Sequence, residues 1–180
     1  YDPFDPLTLE DAHALMPSGL TELVSQEQAV PILITMGAIF PEGRMQTALI
    51  KGIVPGQSIL TIPTGSLKQE DPDIIPALIG SRMADQTKLK IGDEVTIRWR
   101  DIHGTFDAVD IRIADIMHPT NPAVDAGQVW LPLHTLQEML QAPGEATLVV
   151  LKKKIKSIPA ITGPWTHKSL KGLVKVMDTI

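Results

Sequence analysis

Histidine is the side chain most often recruited as a base or metal ligand near neutral pH. The chain has five: His13, His103, His118, His134 and His167. No two stand in an HxH or HExxH arrangement, and none has a second ligand at helical spacing, as a preformed zinc site usually does. Most fall in predicted turns or helix starts, so exposed histidines are expected. There is no cysteine, which excludes disulfides and thiolate metal sites without fixing a compartment. Ser18, Ser58, Ser66 and Ser81 sit in cap or loop contexts, and no GxSxG elbow occurs. The glycines form neither GxGxxG nor GxxxxGK[ST], so no phosphate cradle is visible. Asp71, Asp73, Asp93 and Asp101 do not match a calcium loop; Asp71 and Asp73, flanking Pro72, read as loop shapers. The three tryptophans read as core, Trp99 by the phase of its strand. The expectation is therefore no catalytic residue, no cofactor and no metal, with no binding residue assigned.

The elements that carry these residues centre on ALIGSRMADQTKLKIGDEVTI (77–97). Ala77, Leu78 and Ile79 end a buried strand at Gly80. Ser81 is placed to cap a short helix, with Met83, Ala84 and Leu89 inward and Arg82, Asp85, Gln86 and Lys88 in water. Gly92-Asp93 reverses the chain. From Glu94 it alternates, Val95, Ile97 and Trp99 on one face and Thr96, Arg98 and Arg100 on the other, which is a half-buried strand. Residues 105–117 form its hairpin partner, with Val109, Ile111 and Ile113 on one face and Asp110 and Arg112 on the other. Upstream, Thr8-Leu9-Glu10-Asp11 fits a capping box. Leu9, Ala12, Leu15 and Met16 continue it as one helix face, ended by Pro17-Ser18-Gly19. A strand follows within 24–38, then the turn Phe40-Pro41-Glu42-Gly43 and a partner strand over 45–54. Pro63, Gly65, Pro72 and Pro76 make 57–76 a loop. Downstream come a short strand (128–131), a helix (133–141) with Leu136, Met139 and Leu140 on one side, and a buried strand (146–151). A last helix runs from Thr166, its stripe formed by Leu170, Leu173, Val174 and Met177.

A chain of 180 residues holds one domain or two small interlocked ones, with enough surface to bury a core. A net charge of −5 argues against nucleic acid, whose binding needs Lys and Arg on phosphates. Apolar runs such as 30–36 and 146–151 are far shorter than the roughly 20 residues that span a bilayer. No signal peptide is present, and a start at Tyr1 reads as an excised or processed piece. The charges are segregated. Before Arg44 there are only acids: Asp2, Asp5, Glu10, Asp11, Glu22, Glu27 and Glu42. After Leu151 come Lys152, Lys153, Lys154, Lys156, Lys168, Lys171 and Lys175, opposed only by Asp178. This pattern fits two solvated faces, or two chain ends that lie side by side.

The ordered set LTLEDAHAL (7–15), ALIKGIVPG (48–56), ALIGSRMADQTKLKIGDEVTI (77–97), QVWLPLHTLQEML (128–140) and Trp165 resembles the extracytoplasmic domain of permeases in the MacB, LolC/LolE and FtsX family of ABC transporters. Each stretch alone is generic fold chemistry; their order carries the resemblance over nearly the whole chain. It implies an α+β fold with a porter-like subdomain built from both chain ends (1–55 and 145–180) and an inserted, strand-rich sabre-like subdomain (56–144). It further implies a periplasmic portion of a cytoplasmic-membrane protein, inserted between two membrane helices.

The role implied is mechanical and non-catalytic. ATP hydrolysis belongs to a cytoplasmic ATPase, and the domain passes the resulting motion to cargo or a periplasmic partner, for export, lipoprotein release or mechanotransmission. Partners implied are the membrane part of the same permease, that ATPase, and a second permease copy or paralogue; nucleic acid is not among them. Two departures limit the carry-over. The loop enlarged into a carrier-recruiting hook in the lipoprotein-releasing branch is here only Asp101-Ile102-His103-Gly104, and residues 152–163, with Pro159, read as extended where relatives have a helix. The alternative is a free-standing periplasmic protein that binds a small molecule or other ligand in a cleft.

Overall fold

The computed structural model describes residues 12–118, 127–153, 155, 158–161 and 163–168. Its elements are β1 (Ala14–Leu15), α1 (Ser18–Ser25), β2 (Ala29–Ile39), β3 (Gln46–Ile53), β4 (Ile75–Gly80), α2 (Ser81–Thr87), β5 (Glu94–Arg100), β6 (Phe106–Met117), β7 (Gln128–Pro132), α3 (Leu133–Leu140), β8 (Glu145–Ala146) and β9 (Leu148–Leu151). Short 3₁₀ turns at Pro41–Gly43 and Thr64–Leu67 break the connections.

The long strand β2 organises the rest. One edge pairs with β3 from Ile32 to Ile39. The other pairs first with β9 over Ala29 to Ile32, then with β5 over Gly37 to Ile39. The order β3-β7-β4-β6-β5-β2 with the β2–β3 pairing closes a six-stranded mixed barrel, and β9 extends it from β2. Strands of the two end stretches (β2, β3, β9) and of the stretch between (β4 to β7) thus share one sheet. Gly37 permits the closure. A Cβ there would lie 2.7 Å from the Arg98 carbonyl oxygen and 2.4 Å from Ile50 Cδ1, so any other residue pushes β5 off β2.

Alternation then fills the barrel. Leu33, Ile50, Ile79, Ile97, Ile113 and Leu131 are fully enclosed, each worth about 1.5–3 kcal/mol against exposure. β4 and β7 are antiparallel, so the helices that follow them lie at opposite ends. α2 supplies Met83 and Ala84, and α3 supplies Leu133, Leu136 and Leu140, to the same core. α3 approaches β3 closely because Gly52 has no side chain: a Cβ would meet the Leu133 Cα at 3.2 Å.

A second apolar layer lies outside the barrel. Val30, Ile32, Ile34, Ile53, Leu78 and Trp130 are covered by Leu67 and by half-buried Ile59, Leu60 and Ile62 from the strap between β3 and β4. Gln57 shapes the strap, its Oε1 accepting from Ile59 N (2.8 Å) and Leu60 N (2.7 Å). A third, small cluster joins α1 (Leu20, Leu23) to Ala29, Val149, Leu151 and Trp165.

Several expectations are met: the Phe40–Gly43 turn, the β5 phase, the β5–β6 hairpin, and α3. Others need correction. The first helix does not reach Met16, because residues 14 and 15 are strand and the helix begins where an end was expected. Pro17 explains both. It disfavours helix at the residue before it, yet it serves well at a helix start, where its own N–H is not needed, and its carbonyl accepts from Leu20 N (2.9 Å) and Thr21 N (3.1 Å). The capping box at 8–11 lies outside the described residues, as does most of the last helix. β2 starts at Ala29, after the turn in which Glu27 takes φ 55°. The cap of α2 falls on Gly80 instead of Ser81. The strand expected over 146–151 is two pieces, and the second is half-buried, because it is an edge strand.

Candidate functional site

The β5–β6 turn is a rigid platform. Asp101, itself buried, accepts at Oδ1 from His103 N (2.9 Å) and Thr105 N (2.8 Å), and at Oδ2 from the Gln141 side chain (2.7 Å). Ile102 N donates to the Leu140 carbonyl at 3.2 Å, so the turn is bolted to the end of α3. Gly104, at φ 86°, supplies the left-handed residue that so tight a reversal needs. Arg100 Nε donates to its carbonyl at 3.2 Å. The platform holds Ile102 and Phe106 in solvent, and the Arg98 guanidinium lies 4.4 Å from the Phe106 ring centroid.

Facing this turn is β1. His13 Nδ1 bonds Glu145 Oε2, and the Glu145 carbonyl accepts from Gln137 Nε2 at 2.9 Å. Between them lies an open cleft of about 370 Å³ lined by His13, Thr35, Arg100, Asp101, Ile102, His103, Gly104 and Leu140. The buried Thr35 hydroxyl is directed to the Met36 carbonyl (3.5 Å), and the Asp101 oxygens are occupied by donors. No nucleophile–base pair of the kind acyl transfer needs forms on these walls.

Outside the barrel, Lys51 stands in the middle of the strap-covered face. Its Nζ donates to Gln128 Oε1 at 3.0 Å and lies 5.0 Å from the Trp130 ring centroid, the residue beside it in the parallel β3–β7 register. Loss of solvent pushes its ammonium down from 10.5 to about 8, because burial penalises the charged form.

Among the histidines, His103, His118, His134 and His167 are exposed as expected, and His134 lies 3.5 Å from Glu138 one helical turn on. His13 is the exception, half-buried and partnered. Asp71 Oδ1 accepts from Asp73 N at 2.9 Å, the loop-shaping role read from sequence. Among the described residues no three His, Asp or Glu side chains are grouped to hold a metal. Sequence reasoning did not single out Lys51, Gln141 or Glu145. Lys51 had a signal, since it alternates in phase with Leu49 and Ile53 and so belongs to a covered face. The His13–Glu145 contact spans 132 positions and had none.

No family model matches this sequence, and no curated protein matches it. Among solved structures, it is similar to the extracellular domain of the noncanonic ABC-type transporter YknZ from Gram-positive bacteria, with a TM-score of 0.51 and 13% identity over 87% of this chain and 82% of that one. The likeness is one of fold, and this chain is mixed α/β, strand-rich and poor in helix.

Proposed function

We propose that this chain is a non-catalytic extracytoplasmic domain of an ABC transporter permease, passing motion driven by a cytoplasmic ATPase to cargo or a partner protein. The observation that carries the reading is the fold likeness to a transporter extracellular domain along 87% of the chain. The joining of its two flanking segments supports it. β1 pairs with β8, Trp165 Nε1 donates to the Leu15 carbonyl at 2.9 Å, and Gly19 packs against Pro159. A domain held between neighbouring membrane helices needs both flanks on one side. Residues 1–55 with 145–180 are the porter-like part and 56–144 the sabre-like part; these are regions of role, since strands of both complete one sheet. The family resembled is that of MacB, LolC/LolE and FtsX, with a second permease copy or a paralogue as neighbour.

The test uses the absence of cysteine. In cells expressing the whole parent protein, with any cysteine outside this chain replaced by serine, Glu42→Cys, on the exposed β2–β3 turn, is expected to react with a membrane-impermeant maleimide added from outside the cytoplasmic membrane. Labelling only after that membrane is broken would refute the extracytoplasmic reading. The isolated chain is expected to show no saturable ATP binding in calorimetry.

A further inference from the structure

We propose that β1 and β8 form a releasable clasp, a pairing that opens while the barrel stays folded and, when closed, makes the two flanking segments move together. The pairing is two residues long, Ala14 with Ala146 and Leu15 with Glu145, whereas β2 and β3 are laddered from Ile32 to Ile39. Three further ties hold β1: the His13–Glu145 bond, Met16 N to the Gly144 carbonyl (3.2 Å), and Trp165 Nε1 to the Leu15 carbonyl (2.9 Å). None of the three is sheathed in core. Leu15 is 67% exposed, and the cleft separates His13 from the β5–β6 turn, so β1 is not sealed onto the barrel. Segments with few buried apolar contacts and solvent-exposed hydrogen bonds open far below the global unfolding free energy.

The geometry also says which strand leaves. β8 runs straight into Thr147, whose Oγ1 accepts from Ile34 N (2.9 Å) and whose N–H donates to the Ile32 carbonyl (2.9 Å). Gln137 holds the Glu145 carbonyl from α3. β8 therefore stays with the barrel and β1 swings away, taking the Trp165 anchor point with it. Closed, the clasp couples the segment before α1 to the segment after β9; open, the segment before α1 moves by itself, while Pro159 and Trp165 remain packed near α1. The use of such coupling rests on the transporter reading, whereas the lability of the clasp rests on the bonds alone.

Ala146, paired with Ala14 of β1, is 1% exposed, and Ala77 is fully enclosed in the barrel. In the chain without other cysteines, Ala146→Cys is expected to react with a small disulfide reagent under native conditions at least about a hundredfold faster than Ala77→Cys. Adding His13→Ala, which removes a hydrogen bond to a carboxylate, is expected to speed the first by about tenfold and leave the second unchanged. Amide exchange on the unsubstituted chain gives a second readout: Met16 N–H exchanges ahead of the β2–β3 ladder. Equal labelling rates at 146 and 77, no acceleration by His13→Ala, or Met16 exchanging only with the ladder would each overturn the clasp. These results leave the transporter reading standing, and failed labelling of Glu42→Cys leaves the clasp standing.

Discussion

The two faces of the β2–β3–β7 part of the sheet are both covered, yet they are built by different rules. Inside, the barrel is predominantly apolar: Leu33, Ile50 and Val129 share one cluster with side chains of α2, α3 and β5, and the Trp99 Nε1 in it is satisfied by the Met139 carbonyl. Outside, under the strap, the same strands present Ile34, Ile53 and Trp130, but also Lys51. The Trp130 Nε1 and Thr64 Oγ1 atoms are buried there with no hydrogen-bond partner among the described residues. The inner face is closed by regular pairing and must be packed to density. The outer face is closed by an irregular strap, and it tolerates polar groups at a cost in stability. The contrast predicts that truncating apolar side chains costs stability on either face, whereas replacing the polar groups of the outer face by apolar ones of similar size stabilises.

The largest effect is expected inside. Trp99 is 5% exposed and its Nε1 donates to the Met139 carbonyl at 2.7 Å, joining β5 to α3. Trp99→Ala should destabilise by about 3–5 kcal/mol in denaturant unfolding. Arg98→Ala, one residue away on the outward face and in contact only with Phe106 among the ring pairs described, should cost less than about 1 kcal/mol. Comparable losses at both positions would erase the inside–outside distinction on β5.

Next comes the one strap residue that behaves like barrel core. Leu67 is fully buried at the end of the Thr64–Leu67 turn. Leu67→Ala should cost about 2–4 kcal/mol. A near-neutral result would mean that the strap is an ornament on the sheet and that the outer layer contributes nothing to folding.

How much of this contrast was legible in the sequence depends on the range of the interaction that sets it. The β5 phase was plain, because alternation is local and one face is buried. So was the turn before β3, since Pro41 and Gly43 act within a few residues. The first helix was misread because Met16 and Leu15 have apolar spacing that fits a helix, while Pro17 quietly forbids one at 16 and opens one at 18. Barrel closure was not legible at all: it rests on β2 pairing with β3 along one edge and with β5, about sixty positions downstream, along the other. The candidate cleft inherits that blindness, as its walls come from β1, β2, the β5–β6 turn and α3. What could have been read, and was not, is Lys51. A lysine in phase with Leu49 and Ile53 on a strand bounded by turns announces a charged group on a covered face.

Lys51 provides the third prediction and the change of sign. Its ammonium is held at about 8 against 10.5 in the open chain. Between those values the unfolded chain binds a proton that the folded protein lacks, so stability rises as pH goes from about 8 to 10.5; below pH 8 the full penalty applies. Lys51→Met keeps the stem and removes the charge. With allowance for partial exposure, it should stabilise by about 1–2 kcal/mol at pH 7 and abolish the alkaline rise. Loss of stability in the variant would show that the Gln128 and Trp130 contacts outweigh desolvation, and an alkaline rise that survives it would assign that rise to another group.

The smallest effect is expected at Thr64, and it sharpens the comparison most. Thr64 is 1% exposed at the start of the 3₁₀ turn, and its backbone is fully used: its N–H donates to the Ile62 carbonyl (2.7 Å) and its carbonyl accepts from Gly56 N (3.1 Å). Those two bonds fold the strap and survive any side-chain change. The hydroxyl is a separate matter, buried without a partner, and a group in that state costs about 1–3 kcal/mol of desolvation. Valine has the same branched shape and replaces the hydroxyl by a methyl. Thr64→Val is thus expected to be neutral to stabilising by up to about 1 kcal/mol, the gain being reduced by the slightly larger methyl in a closed site. The same exchange at Thr147, also buried but with its hydroxyl accepting from Ile34 N at 2.9 Å, should destabilise by about 1–3 kcal/mol because it orphans that amide. Measured side by side in urea, the two threonines separate a polar group that the outer face merely tolerates from one that holds β8 to the barrel. Equal signs for the pair would mean that Thr64 has a partner after all.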